Sequence, residues 1–269
     1  QRPKLLSIFN QGLQMTAEPC NIEGFNDLSE TLDMAIKAAS LSRLVVFETC
    51  KFQAKLKYID KIPEPERPLP PGKTEHANDR GTRIHAGAEL FVKGGVELID
   101  ELKDFEPELQ RLKTLFAQGK VSLEGEWAFD ENWGPVAWMS SDAKWRIKLD
   151  ACAFLSKTHA AVIDYKSGKR WGNEVKHGEQ MQLYVLAAFL KYPHLEKVTV
   201  ELWYTDLNEL IPMTYTQAQS LRFLKGFENR AQAMFDEEVF KPNPTTFTCR
   251  YCAYKPKEKG GTGDCGVGV

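Results

Sequence analysis

The segment WRIKLDACAFLSKTHAAVIDYK, residues 145–166, decides the fold. Apolar Trp145, Ile147 and Leu149 alternate with polar neighbours, and Ala160–Lys166 is a second short apolar run. The residues between them, Ser156, Lys157, Thr158 and His159, form a turn. Two strands joined so closely pair with each other. Asp150 lies in the first and Asp164 near the end of the second, so the two carboxylates converge on one side of a sheet. Lys166 follows Asp164 by two residues and shares its face. By the same alternation Cys152 shares the face of Asp150, and it reads as buried packing. Hard oxygen donors with few other protein ligands suit Mg²⁺ or Mn²⁺. A lysine beside them is placed to orient an attacking water or to stabilise charge building on phosphorus.

Outward from this pair the pattern is α/β. Val121–Phe129 alternates as a strand, Lys197–Tyr204 is β-branched, and Ile211–Tyr215 reads as another strand. Glu179–Lys191 is helical by period, with Gln180 and Tyr184 four residues apart on one face. Asn78 to about Asp104 reads as one or two helices broken at Gly94-Gly95, with His85 on the first. A helix opens near Pro107 and closes at Gly119. Before these, Leu28, Leu32, Ile36 and Ala39 recur at helical spacing, Ser40 offers a new N-cap, and a second helix is expected over Leu44–Tyr58. Five prolines between Pro63 and Pro71 make an extended connector. Thr216–Phe240 reads as one long amphipathic helix, ended by Pro242 and Pro244. The expected organisation is an N-terminal helical segment over 1–77, a core over 78–215 and a Cys-rich segment over 216–269.

The chain has 269 residues, 42% of them apolar, and a formal net charge of −2. That charge argues against a histone-like polycation, yet it permits a local basic groove. No apolar run is long enough to span a membrane, and Gln1–Asn10 lacks the apolar stretch of a signal peptide. The reading is a soluble, cytoplasmic protein. Three of six cysteines, Cys249, Cys252 and Cys265, fall in the last 21 residues, which points to metal before disulfides. A terminal CxxC after a long helix does not fit the strand-to-helix turn of a redox pair. A zinc or an iron–sulfur site stays open.

Taken in order, Gly81/His85, Asp150, Asp164/Lys166 and Gln180/Tyr184 resemble the RecB-like branch of the PD-(D/E)XK nucleases. Leu149 stands where the family name has proline. The resemblance implies a restriction-endonuclease-like core, a central mixed sheet flanked by helices. It also implies metal-dependent hydrolysis of DNA by an exonuclease of little sequence specificity, in recombination, repair or DNA processing. His85, Asp150, Asp164 and the backbone carbonyl of Tyr165 would bind the metal, and Lys166 would be the catalytic lysine. Gln180 and Tyr184 would contact DNA. A family glutamate in the preceding strand is Glu124 or Glu126, with Glu126 preferred. Arg83, Lys169, Arg170 and Trp171 form a candidate phosphate- and base-contacting mouth.

The stretch from Ser40 to Cys50 further resembles the N-terminal helix of iron–sulfur members such as the AddB nuclease domain and the CRISPR-adaptation exonucleases. That resemblance implies a structural [4Fe–4S] cluster on Cys50, Cys249, Cys252 and Cys265, with Cys20 in reserve for Cys265 and Zn²⁺ as the alternative metal. The absence of a G-x-x-x-x-G-K-[ST] loop leaves helicase activity to a partner. The resemblance implies DNA with a free end as substrate, single strands included, and a helicase or recombination partner is compatible. Rival readings are a flap or junction endonuclease on the same fold, and a non-catalytic DNA-binding assembly subunit that retains the cluster.

Overall fold

Strand-forming segments and the turns between them set up one sheet. In the computed structural model, which describes residues 35–269, β1 (Val121–Phe129), β2 (Pro135–Val136), β3 (Trp145–Phe154), β4 (His159–Lys166), β5 (Lys197–Tyr204) and β6 (Glu209–Thr216) form six strands. Their order is β2-β1-β3-β4-β5-β6. The β4–β5 pair is parallel and the others are antiparallel. The parallel pair needs a crossover, and α5 (Glu174–Lys191) supplies it.

Helices cover both faces. On one side α3 (Ala77–Lys93) and α4 (Glu106–Ala117) place Ile84, Phe91, Leu109 and Leu112 against Ala151, Ile163 and Trp203. On the other side α5 and α7 (Leu224–Phe235) bring Met181, Leu186, Phe227 and Met234 against Trp145, Leu149, Val162 and Val200, and α1 (Leu41–Thr49) adds Leu44 and Phe47. The result is an α/β fold of three layers with a six-stranded mixed sheet, as the strand pattern requires. Helix α3 ends where Gly94 takes φ 85°, which a glycine adopts without strain. Pro107 sits in the first turn of α4, where its missing N–H costs nothing.

Four helix boundaries differ from expectation. The helical period through Ile36 and Ala39 does not hold at its described end: Ala39 makes a parallel bridge to Trp145, its N–H donating to the Lys144 carbonyl at 2.7 Å. Leu28, Leu32 and Cys20 lie outside the described residues. The helix expected over Leu44–Tyr58 starts three residues earlier, at an N-cap where Ser40 accepts from the Arg43 amide. It is then broken into α1 and α2 (Lys51–Tyr58) by Cys50, which is extended at φ −159°. Helix α5 starts at Glu174, so Gly178 lies inside it. The long C-terminal helix is α6 (Gln217–Ser220), a 3-10 turn over 221–223, and α7, which stops at Phe235. Among the described residues, no helix is long and apolar enough to cross a membrane.

The α3/α4 layer rests on few large side chains, and Leu109 is fully buried. Leu109→Ala is expected to lower unfolding free energy by about 2–5 kcal/mol, measured by urea denaturation.

Candidate active site

The site lies where β3 and β4 part. Their ladder runs from Phe154↔Ala160 to Ala151↔Ile163 and stops, while β4 continues beside β5 through Lys166↔Tyr204. Beyond Ala151 the backbone groups that faced each other across the ladder need other partners. Side chains supply them. Asp150 Oδ2 accepts the Tyr165 N–H at 2.7 Å, and the Tyr184 hydroxyl of α5 donates to the Lys148 carbonyl at 2.8 Å.

The alternation of β3 reverses at the same level. Trp145, Ile147 and Leu149 pack with the α5 layer, whereas Ala151 and Ala153 pack with the α3 layer. In β1, Trp127 and Phe129 likewise join the first layer while Leu123 packs with the second. Between them Glu124 has φ 46° and no ladder partner opposite Asp150. Consequently Cys152 packs in the α5 layer, whereas Asp150 reaches across to α3. The expectation that the two share a face fails at this reversal. Burial pushes the Cys152 thiol up to about 12, as for an inert packing residue.

Asp150 Oδ1 lies 2.9 Å from His85 Nδ1. Burial of His85 disfavours its charge, but the hydrogen bond and charge of Asp150 outweigh this and raise its pKa. Among the described residues, His85, Glu124 and Asp150 form the set whose three ligand atoms all lie within 4.8 Å of one another. Glu126, the preferred glutamate in the sequence, instead stands opposite Lys148 in the ladder and does not line this cavity. Glu124 does, with Lys148 Nζ 2.9 Å from its Oε2. The left-handed backbone at Glu124 is the feature that strand alternation alone misses.

Asp164 and Lys166 approach from the α5 side. Asp164 is 2% exposed, its Oδ1 is 3.3 Å from the Tyr184 hydroxyl, and its Oδ2 is 2.5 Å from Lys166 Nζ. Oδ2 has that ammonium as its partner and no further hydrogen-bond donor. Burial pushes the Asp164 carboxyl up to about 6, against the pull of Lys166. Lys166 Nζ donates to Gln180 Oε1 at 2.7 Å, and Gln180 Nε2 donates to the Tyr184 hydroxyl at 2.6 Å. The i, i+4 pair thus forms one chain of hydrogen bonds with the lysine. Gly81 lines the same cavity, and a Cβ there would lie 3.4 Å from Ser167 Oγ, so α3 approaches the end of β4 closely.

Of the remaining sequence candidates, Tyr165 lines the cavity, and its ring is buried on the α3 side, edge-on to His85 at 5.7 Å. Arg83, Lys169, Arg170 and Trp171 do not line it. Arg83 is held by Glu75 at 2.7 Å and Glu101 at 2.6 Å, and Arg170 by Glu209 at 2.8 Å. Trp171 is exposed beneath the Arg170 guanidinium.

A second constellation gathers the cysteines. Cys50, Cys249, Cys252 and Cys265 line one pocket with Phe52, Leu56 and Tyr254. The break at Cys50 presents its sulfur to this pocket, where the Asn243 N–H donates to it at 3.4 Å. Cys249 ends α8 (Thr246–Cys249), which Thr245 and Thr248 cap reciprocally. Burial, with the sulfurs of the other three adding to it, pushes the Cys252 thiol up.

The site is thus a mixed sheet that opens between two strands, with acidic side chains, an imidazole and two lysines, Lys148 and Lys166, around the opening. The profile of the PD-(D/E)XK nuclease superfamily matches residues 38–149 and 146–256, and the chain belongs to that superfamily. Members use divalent metal ions, and the His85, Glu124 and Asp150 group fits one. Three solved structures are among those that match this chain. The protein SSO0001 has 14% identity over 87% of this chain and 88% of its own, with a TM-score of 0.40. A putative exonuclease from Eubacterium rectale has 12% identity over 87% and 91%, with 0.43. An alkaline exonuclease from Laribacter hongkongensis has 11% identity over 76% and 88%, with 0.30. No curated protein sequence matches.

The two glutamates of β1 are separable by metal binding. Glu124→Gln is expected to weaken Mn²⁺ binding about tenfold or more by titration calorimetry, and Glu126→Gln to leave it unchanged.

Proposed function

We propose that this nuclease is a Mg²⁺- or Mn²⁺-dependent deoxyribonuclease that degrades DNA from a free end with little sequence specificity. The observation that carries the reading is the meeting, in the β3/β4 opening, of His85, Glu124 and Asp150 from one layer with Asp164 and Lys166 from the other. His85, Glu124, Asp150 and Asp164 would hold the metal, with the Tyr165 carbonyl as a further oxygen donor. The buried Asp164 carboxylate has only the Lys166 ammonium against its Oδ2, which leaves it able to serve a bound cation as well. A bound divalent ion supplies Lewis acidity at phosphoryl oxygen and acidifies its water. Lys166, steadied by Gln180 and Asp164, presents an ammonium where charge builds on the phosphoryl oxygens. Tyr184 and Gln180 fix Asp164 and Lys166 relative to the Lys148 backbone. The exonuclease mode follows the resemblance to the RecB-like branch.

We further propose that Cys50, Cys249, Cys252 and Cys265 hold a structural [4Fe–4S] cluster. The four line one pocket, and the choice of cluster over zinc follows the resemblance of the stretch from Ser40 to Cys50 to the iron–sulfur members.

End-labelled linear DNA is expected to be degraded with Mg²⁺ or Mn²⁺ and spared in EDTA, while covalently closed circles resist. Lys166→Ala and Asp164→Asn are expected to lose about 10²–10³-fold or more in rate with circular dichroism unchanged. Wild-type rates in both variants overturn the assignment, and cutting of closed circles moves it to an endonuclease. Anaerobically prepared protein is expected to be brown, with iron and sulfide in equal amounts, and Cys249→Ser to lose the colour. A colourless protein carrying one zinc overturns the cluster.

A further inference from the structure

Beside the candidate active site lies a second open groove that shares Lys148, Gln180 and Tyr184 with it. Its walls are the first turns of α1, the middle of β3, the start of α5 and Trp138 in the β2–β3 connection. Four cations line it, Arg43, Arg146, Lys148 and Lys176, and no carboxylate does. Lys148 is paired with Glu124. Arg43 and Arg146 have no carboxylate partner among the described residues. They are held instead by neutral backbone: Arg43 Nη1 donates to the Ala38 carbonyl at 2.7 Å, and Arg146 Nε to the Trp138 carbonyl at 3.0 Å. Burial lowers the Arg43 pKa, and the charge of Arg146 adds to that. Two neighbouring, half-buried guanidiniums without a carboxylate partner attract an anion that enters the groove.

The rest of the lining separates a single strand from a duplex. Leu41, Val45, Val46 and the half-buried Trp138 give an apolar floor and wall, and the Arg146 guanidinium stands 5.8 Å over the Trp138 ring. A duplex keeps its bases stacked inside and offers only phosphates to such a surface. A single strand offers phosphates to the arginines and unstacked bases to the tryptophan and the apolar floor.

We propose that this groove is the track that holds single-stranded DNA leading into the active site, with Arg43 and Arg146 on its phosphates and Trp138 stacked on a base. The proposal rests on the nuclease reading for the identity of the polyanion. It adds a path for the strand and three DNA-contacting residues outside the motifs that define the family.

The test is fluorescence anisotropy of an end-labelled thymidine oligonucleotide and of a duplex of equal length, with the full chain in EDTA so that binding is read without turnover. The single strand is expected to bind more tightly than the duplex. Trp138→Ala is expected to weaken single-strand binding about tenfold, and Trp138→Phe to restore most of it. Arg43→Gln and Arg146→Gln are each expected to lower the slope of log K against log salt by about 0.7, a change that a purely structural role does not produce. Wild-type affinity and slope in all three, or equal binding of duplex and single strand, overturns the groove. If the wild-type protein binds oligonucleotides through these residues but never cuts them, the nuclease reading fails and the groove stands. If it cuts them while the variants keep affinity and slope, only the groove fails.

Discussion

The structure turns on a single carboxylate. Asp150 satisfies with one oxygen an amide that the sheet leaves unpaired, that of Tyr165, and with the other it fixes His85. Opening a sheet between two central strands strands backbone donors and acceptors in the interior, at a cost comparable to a lost hydrogen bond for each. Here a side chain from each flank offsets that cost, Asp150 for the Tyr165 N–H and Tyr184 for the Lys148 carbonyl. The opening can therefore persist in a well-packed core. Without it the two helical layers would be sealed from each other by continuous sheet.

That opening explains why residues of opposite faces act together. Alternation sends Asp164 toward α5, where Tyr184 and Gln180 wait, while His85 belongs to α3. A closed sheet would keep these groups apart. Because β3 and β4 separate at Asp150, and β1 switches face at Glu124, acids from three strands and an imidazole from a helix border one cavity. The burial that pushes the Asp164 carboxyl up to about 6 belongs to the same arrangement. A carboxylate held there is poorly solvated, and such groups mark sites built for a cation or for proton chemistry rather than for stability.

Much of this was legible in the sequence, for reasons that also bound what was not. The β3–β4 pair and the shared face of Gln180 and Tyr184 are local patterns that periodicity resolves, while the roles of the ordered acids and lysine came from the resemblance to a family. The face reversal at Glu124 and Asp150 is not local. It depends on where two strands stop pairing, which a period of two presupposes never happens. The same limit hid the break at Cys50, whose extended backbone serves a sulfur pocket completed by residues about 200 positions away. Arg83 looked free beside His85, yet Glu75 and Glu101, before and after it in the chain, neutralise it.

This last point bears on what net charge can say. A formal charge of −2 is the residue of many cancellations, and the cancellations are unevenly placed. Arg80 meets Asp206, Arg83 meets two glutamates, Arg170 meets Glu209, and Arg230 meets Glu48 and Glu179. These pairs remove most of the arginines that a sequence scan would assign to nucleic acid. Arg43 and Arg146 escape cancellation because backbone carbonyls and the Tyr58 and Trp138 rings, not carboxylates, face them. Exposed ion pairs gain little and screen easily, so pairing elsewhere costs the fold almost nothing and leaves Arg43 and Arg146 as two cations beside the β3/β4 opening without a carboxylate partner among the described residues. For a polyanion the placement of unpaired charge counts for more than the net charge, and these two stand beside the cavity that gathers the acids.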